Sequence, residues 1–129
     1  RVAIEVYPGN FIEESAVLLH LIRDLNFPNL GYLLCVAHLA ALGEDLLATY
    51  RAVRDHLFHI HLSDTPIRTL DHKHLVPGYG EVDLGALARA IRADGYRGTV
   101  TLQIYSHEAS AEQSSVEGLR AVRALFGLT

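Results

Sequence analysis

The sequence predicts an α/β fold built from four consecutive βα units. Four short apolar runs rich in β-branched or aromatic residues occur along the chain, and each is followed by a stretch with helical periodicity. Half of the 129 residues are hydrophobic and a fifth are charged, so the chain can bury a core. Strands that alternate with helices are typical of a parallel sheet. We treat residues 1–129 as a single domain, which is within the usual size range.

The four apolar runs are predicted to form the strands. They cover residues 2–6, 32–36, 57–62 and 99–105. Because side chains alternate between the two faces of a strand, one face of each run is apolar and would pack under the helices. The opposite face carries a polar or soft side chain near each carboxyl end, namely Glu5, Cys35, His61 and Gln103. Ligands of parallel α/β folds bind at the carboxyl ends of the strands, so these four residues form a candidate site.

Helices are predicted between the strands and after the last one. The apolar periodicity places them over residues 11–25, 44–55 and 84–93, with a last helix that opens at Ser114 or Ser115. Asp83 is a suitable N-cap for the third helix, and Gly95 follows its end. The connection over residues 63–82 is rich in Pro, Gly, Asp and His, and loops of this length are typically functional or mobile.

Composition argues against several classes of protein. A net charge of −4 and a pI near 6.0 argue against a nucleic-acid-binding surface built on bulk positive charge. The longest apolar runs have about six residues, far fewer than the roughly 20 that span a bilayer. Cys35 is the single cysteine, so no intrachain disulfide can form, which fits a reducing compartment. We expect a cytoplasmic protein that acts neither at a membrane nor on nucleic acid.

Short motifs connect these positions to a known family. Residues 35–38 read Cys-Val-Ala-His, residues 61–64 read His-Leu-Ser-Asp, and residues 77–83 read Pro-Gly-Tyr-Gly-Glu-Val-Asp. A Gly-Tyr-Arg-Gly turn at 95–98 precedes the last predicted strand. In these features the chain resembles the C-terminal half of the xylose-isomerase-like TIM barrels, the superfamily of sugar phosphate isomerases and epimerases and of the family 2 apurinic endonucleases. The resemblance implies that the four βα units are the second half of a (βα)₈ barrel.

The resemblance also implies a metal site. In the family, one divalent metal is held by Glu, Asp, His and Glu at the ends of strands five to eight. Glu5 and His61 match two of these ligands, whereas Cys35 stands where the family has Asp and Gln103 where it has Glu. The implied cofactor is Mn, Mg or Zn. Losing hard oxygen ligands should weaken Mg²⁺ and Mn²⁺ binding, and a set with a thiol and an imidazole would suit Zn²⁺.

The chemistry implied by the resemblance is proton transfer through an enediolate-like intermediate on a small sugar or sugar-acid substrate. Glu5 and His38 are then the predicted catalytic residues, and His38 and Arg68 the predicted substrate contacts. Gln103 cannot act as a general base, so one-base chemistry through Glu5 is the remaining expectation. The leading hypothesis is a metal-dependent isomerase, epimerase or related lyase domain.

Two other functions stay open at this point. The departures at Cys35 and Gln103 also fit a non-catalytic barrel scaffold that has lost its metal. In the apurinic endonucleases the family's histidine joins an Asp-x-His pair in an additional zinc site, and the corresponding residues here are His38, His72 and His74. Because a barrel of this type has about 250 residues, we expect this chain to pair with a missing N-terminal half or to form a homo-oligomer.

Overall fold

A four-stranded parallel sheet forms the centre of the computed structural model, which describes residues 1–69, 71–106 and 108–128. Its strands are β1 (Val2–Ile4), β2 (Leu30–Cys35), β3 (Leu57–Leu62) and β4 (Thr99–Leu102), and they lie side by side in chain order. Every pair of neighbours is parallel. Because helical segments connect each strand to the next, this arrangement confirms the predicted α/β class and the four consecutive βα units.

The helices cover the apolar face of the sheet. In the described residues they are α1 (Ser15–Leu25), α2 (Val36–Leu42), α3 (Leu46–Val53), α4 (Leu84–Ala93) and α5 (Ala111–Phe126). Single-turn helices, Arg54–His56 and Glu108–Ser110, precede β3 and α5. Five of the largest core side chains, which share one buried cluster, come from both layers: Leu18, Tyr32, Leu34, Ile60 and Leu87.

Burial of the apolar face of the sheet also determines which residues lie on its opposite face. Tyr32 and Ile60 are fully buried between the sheet and the helices, and burying side chains of this size contributes about 1.5–3 kcal/mol each. A shift of one residue in the strand register would turn these side chains away from the helices. The same packing therefore fixes which residues point to the opposite face, where the polar strand ends lie.

The helix α2 is the main difference from the sequence prediction. The apolar run predicts a strand that continues to Val36, but β2 ends at Cys35 and Val36 begins α2. Six of the seven α2 residues are buried, so the segment has no polar face to mark a helical period. A short apolar run of this kind does not distinguish a strand from a buried helix. The consequence is that His38 lies in the first turn of a helix, directly above the end of β2.

Other boundaries differ by a few residues. β1 and β4 end before the predicted residues 6 and 105, α1 begins after the predicted residue 11, and α5 begins before Ser114. The caps of α4 are as predicted: the side chain of Asp83 accepts the N–H of Ala86 at 2.9 Å, and Gly95 follows the helix with a φ of 64°. Within the described residues, β1 and β4 each have a neighbouring strand on one side only.

The connection after β3 folds around the carboxylate of Asp64, which is 1% exposed. Its Oδ1 atom accepts the backbone N–H groups of Thr65 (2.9 Å) and Val82 (3.1 Å), and its Oδ2 atom accepts that of Gly78 (2.8 Å). A Cβ atom at Gly80 would come within 2.3 Å of Asp64 Oδ1, so the turn closes only because residue 80 has no side chain. The Pro-Gly-x-Gly motif is therefore a turn that closes on Asp64.

None of the helices within the described ranges is both long enough and apolar enough to cross a membrane.

Candidate metal centre

Three of the four predicted site residues meet at the carboxyl ends of β1, β2 and β3. One ligand atom from each of Glu5, Cys35 and His61 lies within 4.8 Å of the others. Cys35 and His61 are paired across the sheet, so parallel register alone places their side chains next to each other. Gln103 completes the group, with its Oε1 atom 3.9 Å from Cys35 Sγ. The structure therefore brings together the residues that strand alternation selected.

Glu5 and His61 face each other with two atoms that could bind a metal ion. Glu5 Oε2 lies 3.9 Å from His61 Nδ1, and both atoms are buried. The His61 nitrogen has no hydrogen-bond partner within the described residues, whereas the Glu5 oxygen also lies 3.3 Å from His38 Nδ1. An unsatisfied buried polar atom is costly, so a ring nitrogen that faces a carboxylate oxygen in this way needs an explanation. A cation bound to both atoms would supply it, because Zn–N and Zn–O bonds are each about 2 Å long.

The protonation states of Glu5 and His61 at neutral pH are those that bind metals. Burial alone would raise the pKa of Glu5, but its contact with His38 and the positive charges that His38 and His61 carry when protonated outweigh that effect and lower the pKa. Burial is also the main cause that lowers the pKa of His61, against the opposing charge of Glu5. At neutral pH the pair is therefore a carboxylate beside an uncharged imidazole, the forms in which both bind metals.

Cys35 is a thiol in the absence of a cation. The side chain is 1% exposed, and this burial, assisted by the charge of Glu5, raises its pKa to about 12. Its Sγ–H points to Gln103 Oε1, which can only accept. A coordinating metal displaces the proton of a thiol, so metal binding here would be coupled to proton release. Oxygen, nitrogen and sulfur donors together form a set that fits zinc better than magnesium.

His38 is held by the protein at both ring nitrogens. Its side chain is 2% exposed, with Nδ1 at 3.1 Å from the carbonyl oxygen of Val6 and 3.3 Å from Glu5 Oε2. Its Nε2 atom lies 3.3 Å from His74 Nε2. The predicted roles of His38 as catalytic residue and substrate contact stay predictions, and this geometry favours an action on Glu5 over direct contact with a substrate.

The three histidines of the endonuclease hypothesis are close to each other but do not form one donor set. The ring centroids of His38, His72 and His74 are 4.9 to 5.9 Å apart. The donor atoms that come within 4.8 Å of one another belong to Cys35, His38 and His74. His72 packs edge-to-face on Tyr7 instead. Burial, together with the charge of His38, lowers the pKa of His74 to about 4, so its imidazole is neutral at pH 7.

Arg68 lies away from the cluster. Its backbone N–H donates to the carbonyl of Ala40 at 2.9 Å, and its side chain lies against Gly43, at the C-terminal end of α2. Cys35 immediately precedes the other end of this seven-residue helix, a separation of about 10 Å at 1.5 Å per residue. The predicted role of Arg68 as a substrate contact stays a prediction, without support from this placement.

Two residues beside the cluster were missed by the sequence analysis. Ser63 is fully buried and its Oγ lies 3.1 Å from His74 Nδ1. The ring of Tyr105 stacks on that of His74 at a centroid distance of 4.1 Å. Ser63 follows His61 by two residues and so shares its face of the strand, a signal that strand alternation contained. The stacking of Tyr105 depends on the loop that carries His74, and no local pattern indicates it.

Comparison with known proteins places this geometry in context. The sequence profile of the family described as "Xylose isomerase-like TIM barrel" matches residues 1–125. A 3-dehydroshikimate dehydratase of Pseudomonas putida is 29% identical over 123 residues, which cover 88% of this chain and 19% of that protein. An inosose isomerase of Halalkalibacterium halodurans is 24% identical over 123 residues, covering 88% of this chain and 44% of the relative.

Solved structures share the fold. A D-tagatose 3-epimerase-like protein superposes with a TM-score of 0.82 at 16% identity, over 98% of this chain and 47% of its own. The IOLI protein, whose crystal structure has a bound zinc atom, superposes with a TM-score of 0.81 at 23% identity, over 98% of this chain and 49% of its own. This chain therefore spans about half the length of these structures and less than half of the curated relatives it matches.

Proposed function

Because this chain belongs to the xylose isomerase-like TIM barrel family, we propose that it supplies the metal-binding half of an enzyme that rearranges small polyhydroxylated substrates by proton transfer. The observation that carries the proposal is the facing pair of Glu5 Oε2 and His61 Nδ1, which are 3.9 Å apart and both buried, with no hydrogen-bond partner for the His61 nitrogen in the described part of the chain. Cys35 and Gln103 extend this pair to four donors. A divalent cation bound there would polarise a neighbouring carbonyl or hydroxyl group of a substrate.

Glu5 is the residue that moves the proton in this proposal. It is the single carboxylate among the four donors, and its lowered pKa keeps it ionised at neutral pH. A carboxylate in this position can accept a proton from the carbon next to a substrate carbonyl, leaving an enediolate-like intermediate. Gln103 has no basic form, so no second base stands at the end of β4. The proposed chemistry is therefore of the one-base type, an isomerisation or an elimination.

The names of the relatives support a proposal for the substrate class. Their names refer to 3-dehydroshikimate and to an inosose, and those of the structural neighbours to epimerases. 3-Dehydroshikimate and inososes are hydroxylated ring ketones, and a ketone beside a hydroxyl group is what the proposed proton transfer requires. We therefore propose a hydroxylated ketone as the substrate, in the cytoplasm, where a buried free thiol such as Cys35 remains reduced.

A second half-barrel completes the proposed enzyme. Within the described residues β1 and β4 have no strand on their outer sides, and a further parallel strand on each side would pair with these edges. Four additional βα units would bring the sheet to the eight strands of a closed barrel. They would come from an N-terminal half or from a second copy of this chain, and the substrate would then lie between the two halves.

Metal binding tests the proposal directly. The chain, purified without chelators, is titrated with Zn²⁺ and Mn²⁺ by calorimetry, and its metal content is measured by mass spectrometry. We expect one site that prefers Zn²⁺ and that Glu5→Gln and His61→Gln weaken by about 100-fold or more. The matched control is His59→Gln, a histidine on the same face of β3 that is bonded to Thr101 at 2.8 Å and should leave the affinity unchanged.

Other results of the metal measurements would support the scaffold or the endonuclease instead. Metal content below about a tenth of an equivalent would support the scaffold that has lost its metal, which the neutral side chains of Cys35 and Gln103 favour. More than one zinc per chain, with cleavage of an abasic oligonucleotide, would support the endonuclease. For the enzyme itself, incorporation of solvent deuterium next to the carbonyl of a hydroxylated ketone should depend on Glu5 but not on His59.

A further inference from the structure

A chain of three fully buried polar side chains leads from the end of β3 to Glu5. Ser63 and His74 are 0% exposed and His38 is 2% exposed. Ser63 Oγ lies 3.1 Å from His74 Nδ1, His74 Nε2 lies 3.3 Å from His38 Nε2, and His38 Nδ1 lies 3.1 Å from Val6 O. Buried polar groups at these distances are hydrogen-bonded, and each bond constrains the next one.

The direction of each hydrogen bond in this series of side chains follows from the carbonyl oxygen of Val6 at its end. Val6 O is a carbonyl oxygen and can only accept, so His38 Nδ1 carries a hydrogen. In a neutral His38, Nε2 then has a lone pair, and His74 Nε2 must donate to it. A neutral His74 that donates from Nε2 has a lone pair on Nδ1, which accepts the hydroxyl hydrogen of Ser63. All three hydrogen bonds are satisfied in this arrangement, without a charge.

The other tautomer of His38 would be unfavourable. It would turn the lone pair of Nδ1 toward two oxygen atoms, Val6 O at 3.1 Å and Glu5 Oε2 at 3.3 Å. With His74 held in its Nε2–H form, it would also bring two hydrogens against each other between the rings. The donor on His74 therefore acts together with Val6 O, because both favour the form of His38 that presents a hydrogen on the side of Glu5.

The position of His74 is fixed from both sides. Asp64 and Leu75 exchange two backbone hydrogen bonds of 3.0 and 2.8 Å, which fix the residue next to His74. The N–H of Tyr105 donates to the carbonyl of His74 at 3.3 Å, and the Tyr105 ring stacks on the imidazole. A side chain that is held this firmly can impose an orientation on its neighbour.

We infer that Ser63 and His74 are positioning residues, which hold His38 as the Nδ1–H tautomer and through it orient the carboxylate of Glu5. The consequence for Glu5 rests on the proposed function, whereas the tautomer of His38 does not. Replacing a residue that orients a metal ligand through a hydrogen bond typically lowers the metal affinity by 10- to 100-fold.

The first test is a nuclear magnetic resonance measurement on the unmodified 129-residue chain. Long-range ¹H–¹⁵N spectra of the metal-free protein at neutral pH report which ring nitrogen of each histidine carries a hydrogen. The inference predicts Nδ1–H for His38 and Nε2–H for His74. Nε2–H on His38, or Nδ1–H on both rings, would overturn it. This result requires no variant and no metal.

The second test compares two variants at one position. His74→Gln keeps an N–H donor where Nε2 was, whereas His74→Phe keeps the size and removes the donor. Because Val6 O remains in place, we expect His74→Phe to raise the population of the other tautomer of His38 without making it the main form, and to weaken Zn²⁺ binding by about tenfold. His74→Gln should stay within about twofold of the unmodified chain. Ser63→Ala should lower the Nε2–H population of His74, and His59→Phe, outside the buried chain, should alter neither His38 nor His74.

The outcomes separate the two proposals. An unchanged tautomer and zinc affinity in His74→Phe, or equal losses in both His74 variants, would contradict the positioning role. An unchanged His74 in Ser63→Ala would remove Ser63 from it. If the unmodified chain binds no Zn²⁺ but shows the expected tautomers, the proposed function fails while the hydrogen-bonded chain remains.

Discussion

Asp64 and Glu5 are two carboxylates at the carboxyl ends of strands, and they differ in how their oxygens are used. Asp64 accepts three backbone N–H groups from the loop that surrounds it. Glu5, whose side chain is 30% exposed, has a buried oxygen that faces His61 Nδ1, a nitrogen without a hydrogen-bond partner in the described residues. The comparison separates a carboxylate that builds the fold from one that is available to a ligand.

Removing the Asp64 carboxylate should have the largest effect on stability. Asp64→Ala leaves three backbone N–H groups without their acceptor, and each buried donor left unsatisfied costs about 1–3 kcal/mol, with the lower values expected where water can reach the group. We expect the free energy of unfolding to fall by about 3–5 kcal/mol in urea titrations. Glu5→Gln should change it by less than about 1 kcal/mol while weakening metal binding by about 100-fold or more. Similar stability losses in both variants would contradict the distinction between the two carboxylates.

The glycine at position 80 offers a sharper test of the Asp64 turn. A Cβ atom there would lie 2.3 Å from Asp64 Oδ1 and 2.5 Å from the backbone nitrogen of Thr65. Gly80→Ala must therefore push the turn open, and we expect a loss of about 2–3 kcal/mol, in the range of overpacked core sites. Gly85→Ala is the matched control: its Cβ would meet only flexible or polar side-chain atoms at 3.3 Å or more. It should stabilise α4 by up to about 1 kcal/mol, and equal effects of the two changes would be inconsistent with this account.

Stability should also depend on pH through the buried histidines. Burial, with the charge of His38, lowers the pKa of His74 to about 4, whereas in an unfolded chain it is about 6.5. Between these values the unfolded chain binds more protons, so stability is complete above pH 6.5 and falls as the pH drops toward 4. Burial shifts His61 in the same direction. Unfolding free energies measured at pH 7.5, 6 and 5 without divalent cations should show this slope, and His74→Gln should flatten it. If the unfolding free energy depends on pH with the same slope in His74→Gln and in the unmodified chain, His74 is not a source of the pH dependence.

Restoring a carboxylate at the end of β4 should have the smallest effect. Gln103→Glu adds a hard anionic oxygen to a cluster that has one carboxylate, so Mn²⁺ affinity should rise by about tenfold while Zn²⁺ affinity changes less. Calorimetric titrations with the two metals measure both. If Mn²⁺ affinity does not change, the side chain of residue 103 does not reach the bound cation.

The sequence predicts the faces of the strands and the caps of α4, because both depend on local geometry. The two-residue alternation of the strands is strict, so His61 and Cys35 could be assigned to one face and Ile60 and Leu34 to the other. The alternation also placed Glu5 at a strand end, although β1 itself ends at Ile4. Asp83 and Gly95 were predictable because capping is a local interaction.

The rest depended on contacts between distant segments. Helix α2 carries no periodic signal because nearly all of it is buried, so the sequence did not show that His38 sits in a helix above β2. The buried position of His74 depends on its bridge to the Asp64 turn and on Tyr105. Which atoms of Glu5 and Asp64 are satisfied is likewise a property of the folded loop, and the sequence alone did not distinguish these two acids.

Binding of one metal ion by Glu5, Cys35 and His61 can be measured by X-ray absorption at the zinc edge. The chain is loaded with one equivalent of Zn²⁺ and its coordination shell is measured. We expect a mixed shell with one sulfur at about 2.3 Å and nitrogen or oxygen donors at about 2.0–2.2 Å, and loss of the sulfur in Cys35→Ser. A shell without sulfur, or no retained zinc, would contradict it.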